Sequence, residues 1–332
     1  MTTETREIHL ARRPSGAPVP DDFRLVTTTL PDLGEGEVLV RTDVMSVDPY
    51  MRGRMNDAKS YVPPFALDAP LEGAAVGEVL ESRAEGIEVG DTVLHGLGWR
   101  EHAVVSGKAV RRLDVSTLPA STYLGVLGST GLTAYVGLTR IAEMKQGETV
   151  FVSGAAGAVG SSVGQMARLL GAGKVIGSAG SADKVSWLTD DLGFDAAFDY
   201  HDGRVSDRLG EHGPVDVYFD NVGGEHLEAA ITHLNDFGRV AVCGMIAGYN
   251  DPSQAAGPRN MMMVVQKRLR LQGFIVTDHY DLASAFYEKA GAWVADGSLK
   301  HRETFADGLD HAVEAFLGVL SGANTGKMLV RL

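Results

Sequence analysis

The residues best suited to chemistry in this sequence are glycines. From 149 to 184 the chain reads TVFVSGAAGAVGSSVGQMARLLGAGKVIGSAGSADK, with Gly154, Gly157 and Gly160 behind a short apolar run. Without a Cβ, such a turn lets backbone come close to a pyrophosphate, and Ala155-x-Gly157-x-x-Gly160 keeps the G-x-G-x-x-G spacing with alanine at its first position. Ala156, Ala158 and Val159 complete the turn that would line the phosphates. On the motif alone, a glycine-rich strand-to-helix loop that binds nothing stays open. The context favours a dinucleotide site: an apolar strand before, a helix after and a second strand at the right remove.

The end of that second strand chooses the cofactor. An NAD site usually carries an acidic residue there to hold the ribose hydroxyls. Here Gly177, Ser178, Ala179, Gly180 and Ser181 stand instead, and Lys184 follows a few residues later. A carboxylate would repel a 2′-phosphate, whereas small residues leave it room and an ammonium attracts it. The reading is NADPH. The other account of Lys184 is a solvated lysine at a helix start, with Asp183 beside it.

The elements that must position these residues follow from periodicity. A helix starting near Ala158 places Val159, Val163, Met166 and Leu170 on one face, and Gly171 stands where a C-cap glycine belongs. Strands at 149–152, 174–178, 196–199, 215–220, 239–243 and 269–276 alternate with helical or loop stretches, which describes an α/β doubly wound parallel sheet. A helix over 128–141 leads into it, and another covers 281–295. Residues 1 to about 125 are different, with β-type runs at 37–44, 74–80, 92–94 and 102–105 between turn residues. The tail adds a strand-like start at 303, a helix over 309–320 and a last strand over 327–331. The irregular stretch 248–259 is a candidate lid.

Composition excludes several classes. Across 332 residues the net charge is −13, with 44% hydrophobic and 22% charged residues. That is ordinary globular composition, long enough for two domains and unsuited to a nucleic-acid or anionic-membrane surface. The single cysteine, Cys243, excludes an intrachain disulfide and a four-thiolate zinc site, and its apolar neighbours suggest packing. The charged N-terminal stretch is not a signal peptide and no segment reads as a membrane span, so a cytoplasmic location is expected.

Seven motifs occur in order. They are Ser46-Val47-Asp48-Pro49-Tyr50-Met51-Arg52-Gly53-Arg54-Met55, Gly131-Leu132-Thr133-Ala134-Tyr135, the glycine turn, and Tyr218-Phe219-Asp220-Asn221-Val222-Gly223-Gly224. Cys243-Gly244 with Tyr249-Asn250, then Leu271-Gln272-Gly273-Phe274, then Asn324-Thr325-Gly326-Lys327 complete them. Together they resemble the zinc-independent medium-chain dehydrogenase/reductases, in the branch of curcumin reductase, plant double-bond reductases and prostaglandin reductase/leukotriene 12-hydroxydehydrogenase.

The resemblance implies a GroES-like β-rich domain over 1–125 completed by 303–332, a Rossmann NADPH-binding domain over 126–302, and an active site in the cleft between them. It also implies a homodimer, and NADPH-dependent reduction of the carbon–carbon double bond of α,β-unsaturated ketones and aldehydes. Lys184 and Tyr200 match the positions that hold the 2′-phosphate. Gly157 and Gly160 match the pyrophosphate turn. Thr133, Asn221, Tyr249 and Asn324 match the nicotinamide side, Cys243 and Phe274 fall in motifs expected on the cofactor, and Tyr50 matches a tyrosine at the substrate cleft. Ser129-Thr130 stands where relatives often have Met-Pro.

Reduction of an enone requires a hydride at the β-carbon and a donor for the enolate oxygen. Tyr249 and Tyr50 are the candidate catalytic phenols, with Tyr249 preferred because it follows a sheet strand. The alternative is that both only pack or bind cofactor. No metal is expected: Ser46, Val47 and Asp48 occupy the segment where a zinc-dependent relative has a cysteine, and His95 and His102 read as surface or core histidines. Arg52 and Arg54 read as surface charges. Met261, Met262, Met263 and Phe274 suggest either an apolar wall near the cleft or dimer contact, or a plain core cluster. A quinone reductase and a non-catalytic NADPH-binding sensor are the competing functions.

Overall fold

The computed structural model describes residues 3–250 and 257–332, so part of the candidate lid at 248–259 lies outside the described residues. The chain divides into two units: Met1–Leu124 with Glu303–Asn324 and Met328–Leu332, and Gly125–Arg302 with Thr325–Lys327.

The first unit opens with an antiparallel ribbon of β1 (Glu4–Leu10) and β2 (Phe23–Thr29). These strands are absent from the sequence reading because charged and hydroxyl residues interrupt their apolar alternation, as in TREIHL. Next come β3 (Glu37–Ser46), the short α1 (Tyr50–Arg54), β4 (Ala75–Ser82), β5 (Thr92–His95), β6 (His102–Ser106) and β7 (Arg111–Arg112). Val38 and Val40 of β3 are fully buried against Val79, Val93, Ala103 and Val105, the burial that period-two alternation predicts.

In the second unit, α2 (Ser129–Val136) precedes β8 (Thr149–Val152), α3 (Ala158–Leu169), β9 (Lys174–Ala179), α4 (Ala182–Ser186), β10 (Ala196–Asp199), α5 (Val205–Gly210) and β11 (Val215–Asp220). Then follow α6 (Gly224–His233), β12 (Leu234–Val242), α7 (Met262–Gln266), β13 (Arg270–Gly273) and α8 (Ala283–Ala295). The sheet runs β10-β9-β8-β11-β12-β13 with every neighbour pair parallel, the 3-2-1-4-5-6 order of a Rossmann fold. Its apolar interior is built on Phe151, stacked on Phe198 at 5.9 Å and on Tyr218 at 5.0 Å.

Some elements depart from the sequence reading. α2 ends at Val136 and residues 137–141 form a wider π turn, because Gly137 passes so close to Phe219 that a Cβ would lie 2.2 Å from its ring. The expected strand over 269–276 stops at Gly273 and gives way to a 3-10 segment, Val276–Leu282. On α3, Val163 and Met166 are fully buried, but Val159 and Leu170 are only half-buried. Small residues make up much of the remaining buried face, and Gly164 admits the Phe194 ring, which a Cβ would meet at 1.9 Å.

The tail supplies β14 (Glu303–Asp307), α9 (Ala312–Leu320) and β15 (Lys327–Arg331). The first unit's sheet runs β14-β15-β3-β4-β5-β7, with β6 on β3. Phe316 of α9 is fully buried, 6.0 Å from Trp99 and 6.2 Å from Phe23, so the tail is part of that unit's core. Among the described residues no helix is long and apolar enough to cross a membrane.

Candidate functional site

The glycine turn joins β8 to α3 and is held from two sides. Ala155 N donates to Ser178 O at 2.9 Å, tying the turn to β9, and Gly157 N donates to Gly154 O at 3.0 Å. Gly154 has φ +56, and a Cβ on Gly160 would stand 2.3 Å from the Gly154 carbonyl oxygen, so both positions require glycine. No side chain caps α3 at Gly157. The first-turn amides of Ala158, Val159 and Gly160 thus stand at the positive end of a 12-residue helix, where an external acceptor can serve them.

Gly326 explains why a distant motif belongs here. Its N–H donates to Ala156 O at 2.8 Å, its φ is +70, and a Cβ would fall 2.0 Å from Arg302 O. The segment 325–327 thus runs beside the glycine turn, and Asn324 directly precedes it.

At the end of β9, Ser178 is fully buried and its Oγ has no partner. The Tyr200 hydroxyl reaches this strand end, where a Cβ on Gly180 would be 2.7 Å from it. Ser181 caps α4 by accepting from Lys184 N at 3.4 Å, which brings Lys184 to the same corner. Lys184 is half-buried, and burial lowers its ammonium pKa. Asp183 beside it is exposed. The sequence reading missed His226, which is 5% exposed and stands edge-on to Tyr200 at 5.4 Å. Burial pushes its pKa down to about 4, so it supports Tyr200 as a neutral ring. Its buried place in the amphipathic pattern of α6 gave no polar signal.

The ends of β11 and β12 meet on the other side of the turn. Asn221 donates from Nδ2 to Ser153 O at 2.8 Å, and its Cβ lies 3.6 Å from where a Gly154 Cβ would be. The Tyr249 hydroxyl lies over Gly244, where a Cβ would stand 3.1 Å from it and 3.6 Å from Asn221 O. The structure thus brings Asn221, Gly244 and Tyr249 together. Cys243, between them, has its thiol pushed up to about 12 by burial and by the charge of Asp220, so it is neither a thiolate nucleophile nor a ready ligand. Phe274 packs edge-on to Phe219 at 6.2 Å. Thr133 donates to Ser129 O at 2.7 Å within α2.

Tyr50 starts α1 in the first unit and is half-buried; burial and the neighbouring Asp48 raise its phenol pKa. Ser46 donates to Asp48, so two of the three residues read in place of a zinc cysteine bond to each other. His95 is 3% exposed and pushed down to about 4 by burial and Arg100, a neutral core histidine. Arg52 and Arg54 are not surface charges. Arg52 is 2% exposed and donates to Asn56 Oδ1 at 2.8 Å and Gly16 O at 2.7 Å, while Arg54 pairs with Glu72 at 2.9 Å over the Phe65 ring. They fasten α1 to its surroundings. Among the methionines, Met261 and Met262 are exposed on or beside α7 and Met263 packs on the second unit's core. Among the described residues no group of three or more His, Cys, Asp or Glu side chains gathers as a metal would require.

An uncapped helix start, glycines that leave a cradle a Cβ would fill and an orphaned buried serine hydroxyl fit a phosphorylated dinucleotide. Comparison with known proteins follows the same outline. Residues 6–113 match the family described as the N-terminal domain of oxidoreductase, and residues 158–294 match that described as zinc-binding dehydrogenase. The NADPH-dependent curcumin reductase of Escherichia coli (strain K12) is 41% identical over 330 residues, covering 97% of this chain and 95% of the relative. The 2-alkenal reductase (NADP(+)-dependent) of Nicotiana tabacum is 39% identical over 334 residues, covering 98% of this chain and 96% of the relative. The crystal structure of CurA in complex with NADPH from Vibrio vulnificus is similar with a TM-score of 0.93 at 40% identity, over 98% of both chains.

Proposed function

The chain belongs to the zinc-independent branch of the medium-chain dehydrogenase/reductase family, and from that premise we propose that it reduces the carbon–carbon double bond of hydrophobic α,β-unsaturated ketones and aldehydes with NADPH, without a metal. The observation that carries the reading is a convergence. The strand ends of β8 and β9 present an uncapped anion cradle with Lys184 and Tyr200, and those of β11 and β12 present Asn221 and a phenol.

When bound, NADPH supplies the hydride that the β-carbon receives. The protein's own residues do the rest. The amides of Ala158, Val159 and Gly160 hold the pyrophosphate, and Lys184 and Tyr200 hold the 2′-phosphate. Asn221, whose Nδ2 is engaged by Ser153 O, offers its Oδ1 to the nicotinamide end. Tyr249 donates to the carbonyl oxygen of the substrate as negative charge develops there, and Tyr50 stands as the second phenol of the substrate site. Thr133, Cys243, Phe274 and Asn324 border the cofactor.

The test is to mix the purified protein with NADPH or NADH and a hydrophobic enone, and to follow cofactor absorbance and the product. The expected result is rapid loss with NADPH and a saturated ketone, unchanged by a strong chelator. A chelator-induced loss restored by zinc would overturn the metal-free mechanism, and faster turnover of a quinone with none of the enone would overturn the substrate class.

We also infer a homodimer. β13 ends the sheet with Gln272 and Gly273 exposed, and beside it α7 leaves Met262 and Val265 68% and 72% exposed. An unpaired strand edge next to apolar side chains is a surface that a second copy covers well. Sedimentation is expected to give twice the chain mass; a monomer at micromolar concentration removes the inference.

A further inference from the structure

The carboxyl end of β11 carries a buried polar network that the reaction described above does not use directly. Tyr218 and Asp220, both fully buried, lie on one face of the strand, and Ser153, also fully buried, follows β8 beside them. Asp220 Oδ1 accepts from Tyr218 Oη at 2.7 Å, from Gly223 N at 2.7 Å and from Val222 N at 3.0 Å. Ser153 Oγ lies 2.8 Å from Tyr218 Oη and accepts from Asn221 N at 3.1 Å.

The phenol's single proton fixes the direction of this network. The 2.7 Å approach of Tyr218 Oη to a carboxylate oxygen places that proton between them, which leaves Ser153 Oγ, 2.8 Å from Tyr218 Oη and 3.4 Å from Asp220 Oδ1, to donate to either. The chain then runs from Asn221 N–H to Ser153, and from Ser153 to Asp220 both directly and by way of Tyr218. Three successive amides, those of 221, 222 and 223, are thereby anchored to one carboxylate, directly or through two hydroxyls. Gly223 and Gly224, with φ +71 and +52, supply the left-handed backbone that lets them converge.

The backbone of the same residue holds the second loop. Asp220 O accepts from Cys243 N at 2.9 Å and Gly244 N at 3.0 Å, and Ile246 N and Ala247 N donate to Asn221 O and Val222 O at 3.3 and 3.1 Å. Gly244 is the residue over which the Tyr249 hydroxyl lies. Burial raises the Asp220 pKa while four donors on Oδ1 oppose the rise; Oδ2 is buried with no partner.

We propose that Asp220 is a positioning residue for the nicotinamide end of the site: its carboxylate, relayed through Tyr218 and Ser153, fixes Asn221, and its carbonyl fixes the turn that presents Tyr249. The assignment rests on the cofactor and reaction read above. It separates orientation from affinity, since the 2′-phosphate is held at the far end of the site by other residues.

The experiment compares Asp220→Asn, Tyr218→Phe and Ser153→Ala with wild type, each checked by thermal melting. NADPH is titrated by the emission of the bound cofactor, and turnover of a simple enone is measured with NADPH carrying deuterium at either face of C4. Affinity is expected to stay within about twofold, while kcat falls roughly 10- to 100-fold, the cost of about an ångström of misplacement. The emission of bound NADPH moves toward that of the free cofactor, and the facial selectivity of deuterium transfer relaxes. Should Asp220→Asn fail to fold, the other two variants carry the test, because each removes only a relay hydroxyl. Wild-type kcat, or a reduced kcat with emission and selectivity unchanged, overturns the assignment. A wild-type protein that binds NADPH but reduces no enone defeats the reaction read above and leaves the emission comparison to decide Asp220; failure to bind NADPH overturns both.

Discussion

Replacing Lys184 by alanine raises the Michaelis constant for NADPH roughly 30- to 150-fold, the equivalent of a lost charge-assisted contact of about 2–3 kcal/mol. The Michaelis constant for NADH changes little. The asymmetry follows from what the two cofactors lack in common, a 2′-phosphate, and from what the strand end lacks, a carboxylate. Residues 177–181 are glycine, serine or alanine, and the Ser181 cap ties the Lys184 backbone to their end. Burial lowers the pKa of this ammonium, so a dianionic phosphate beside it offsets a desolvation already incurred in the folded protein. Tyr200 and the neutral His226 behind it keep that corner shaped in the variant, which confines the loss to charge. Steady-state kinetics with both cofactors checks the expectation, and equal effects on the two remove the assignment of Lys184 to the 2′-phosphate.

The strands of the parallel sheet and the glycine turn were legible in the sequence because they depend on local rules. Strand bounds at Thr149–Val152, Ala196–Asp199 and Val215–Asp220 follow from mainly apolar runs, interrupted in the last by Asp216, of the kind that both faces of a parallel sheet require. Where the sequence misled, the cause was tertiary contact. The π turn at 137–141 arises from the Phe219 ring across the core, which no local pattern in α2 announces. β1 and β2 hide behind polar alternation, and Arg52 looks like a surface charge until Gly16 and Asn56 are seen to satisfy it. At the site, the family resemblance pointed to Asn221 and Tyr249, which the structure brings together, but not to the carboxylate that holds both loops. Asp220 lay inside one of the seven motifs, and the informative feature was a row of polar residues, 216, 218 and 220, on one face of the strand, the last two fully buried. A polar group placed on a buried face requires a partner, and seeking that partner leads to Ser153.

Tyr249→Phe lowers kcat about 100-fold, the lower range for removal of a positioned general acid, while NADPH affinity stays within a factor of two. The substitution keeps the ring that packs over Gly244 and removes only the hydroxyl, so cofactor binding has little to lose. The comparison that gives the prediction its force is Tyr50→Phe. Tyr50 sits half-buried with Asp48 nearby, and both raise its phenol pKa, so it holds its proton more tightly than an ordinary phenol does. Its loss is expected to raise the Michaelis constant for the enone more than it lowers kcat, as for a group that only orients substrate. Single-turnover measurements on both variants, with a solvent isotope effect to report the proton in flight, distinguish the two roles. Wild-type turnover in Tyr249→Phe would reduce that hydroxyl to packing and leave the proton to come from water.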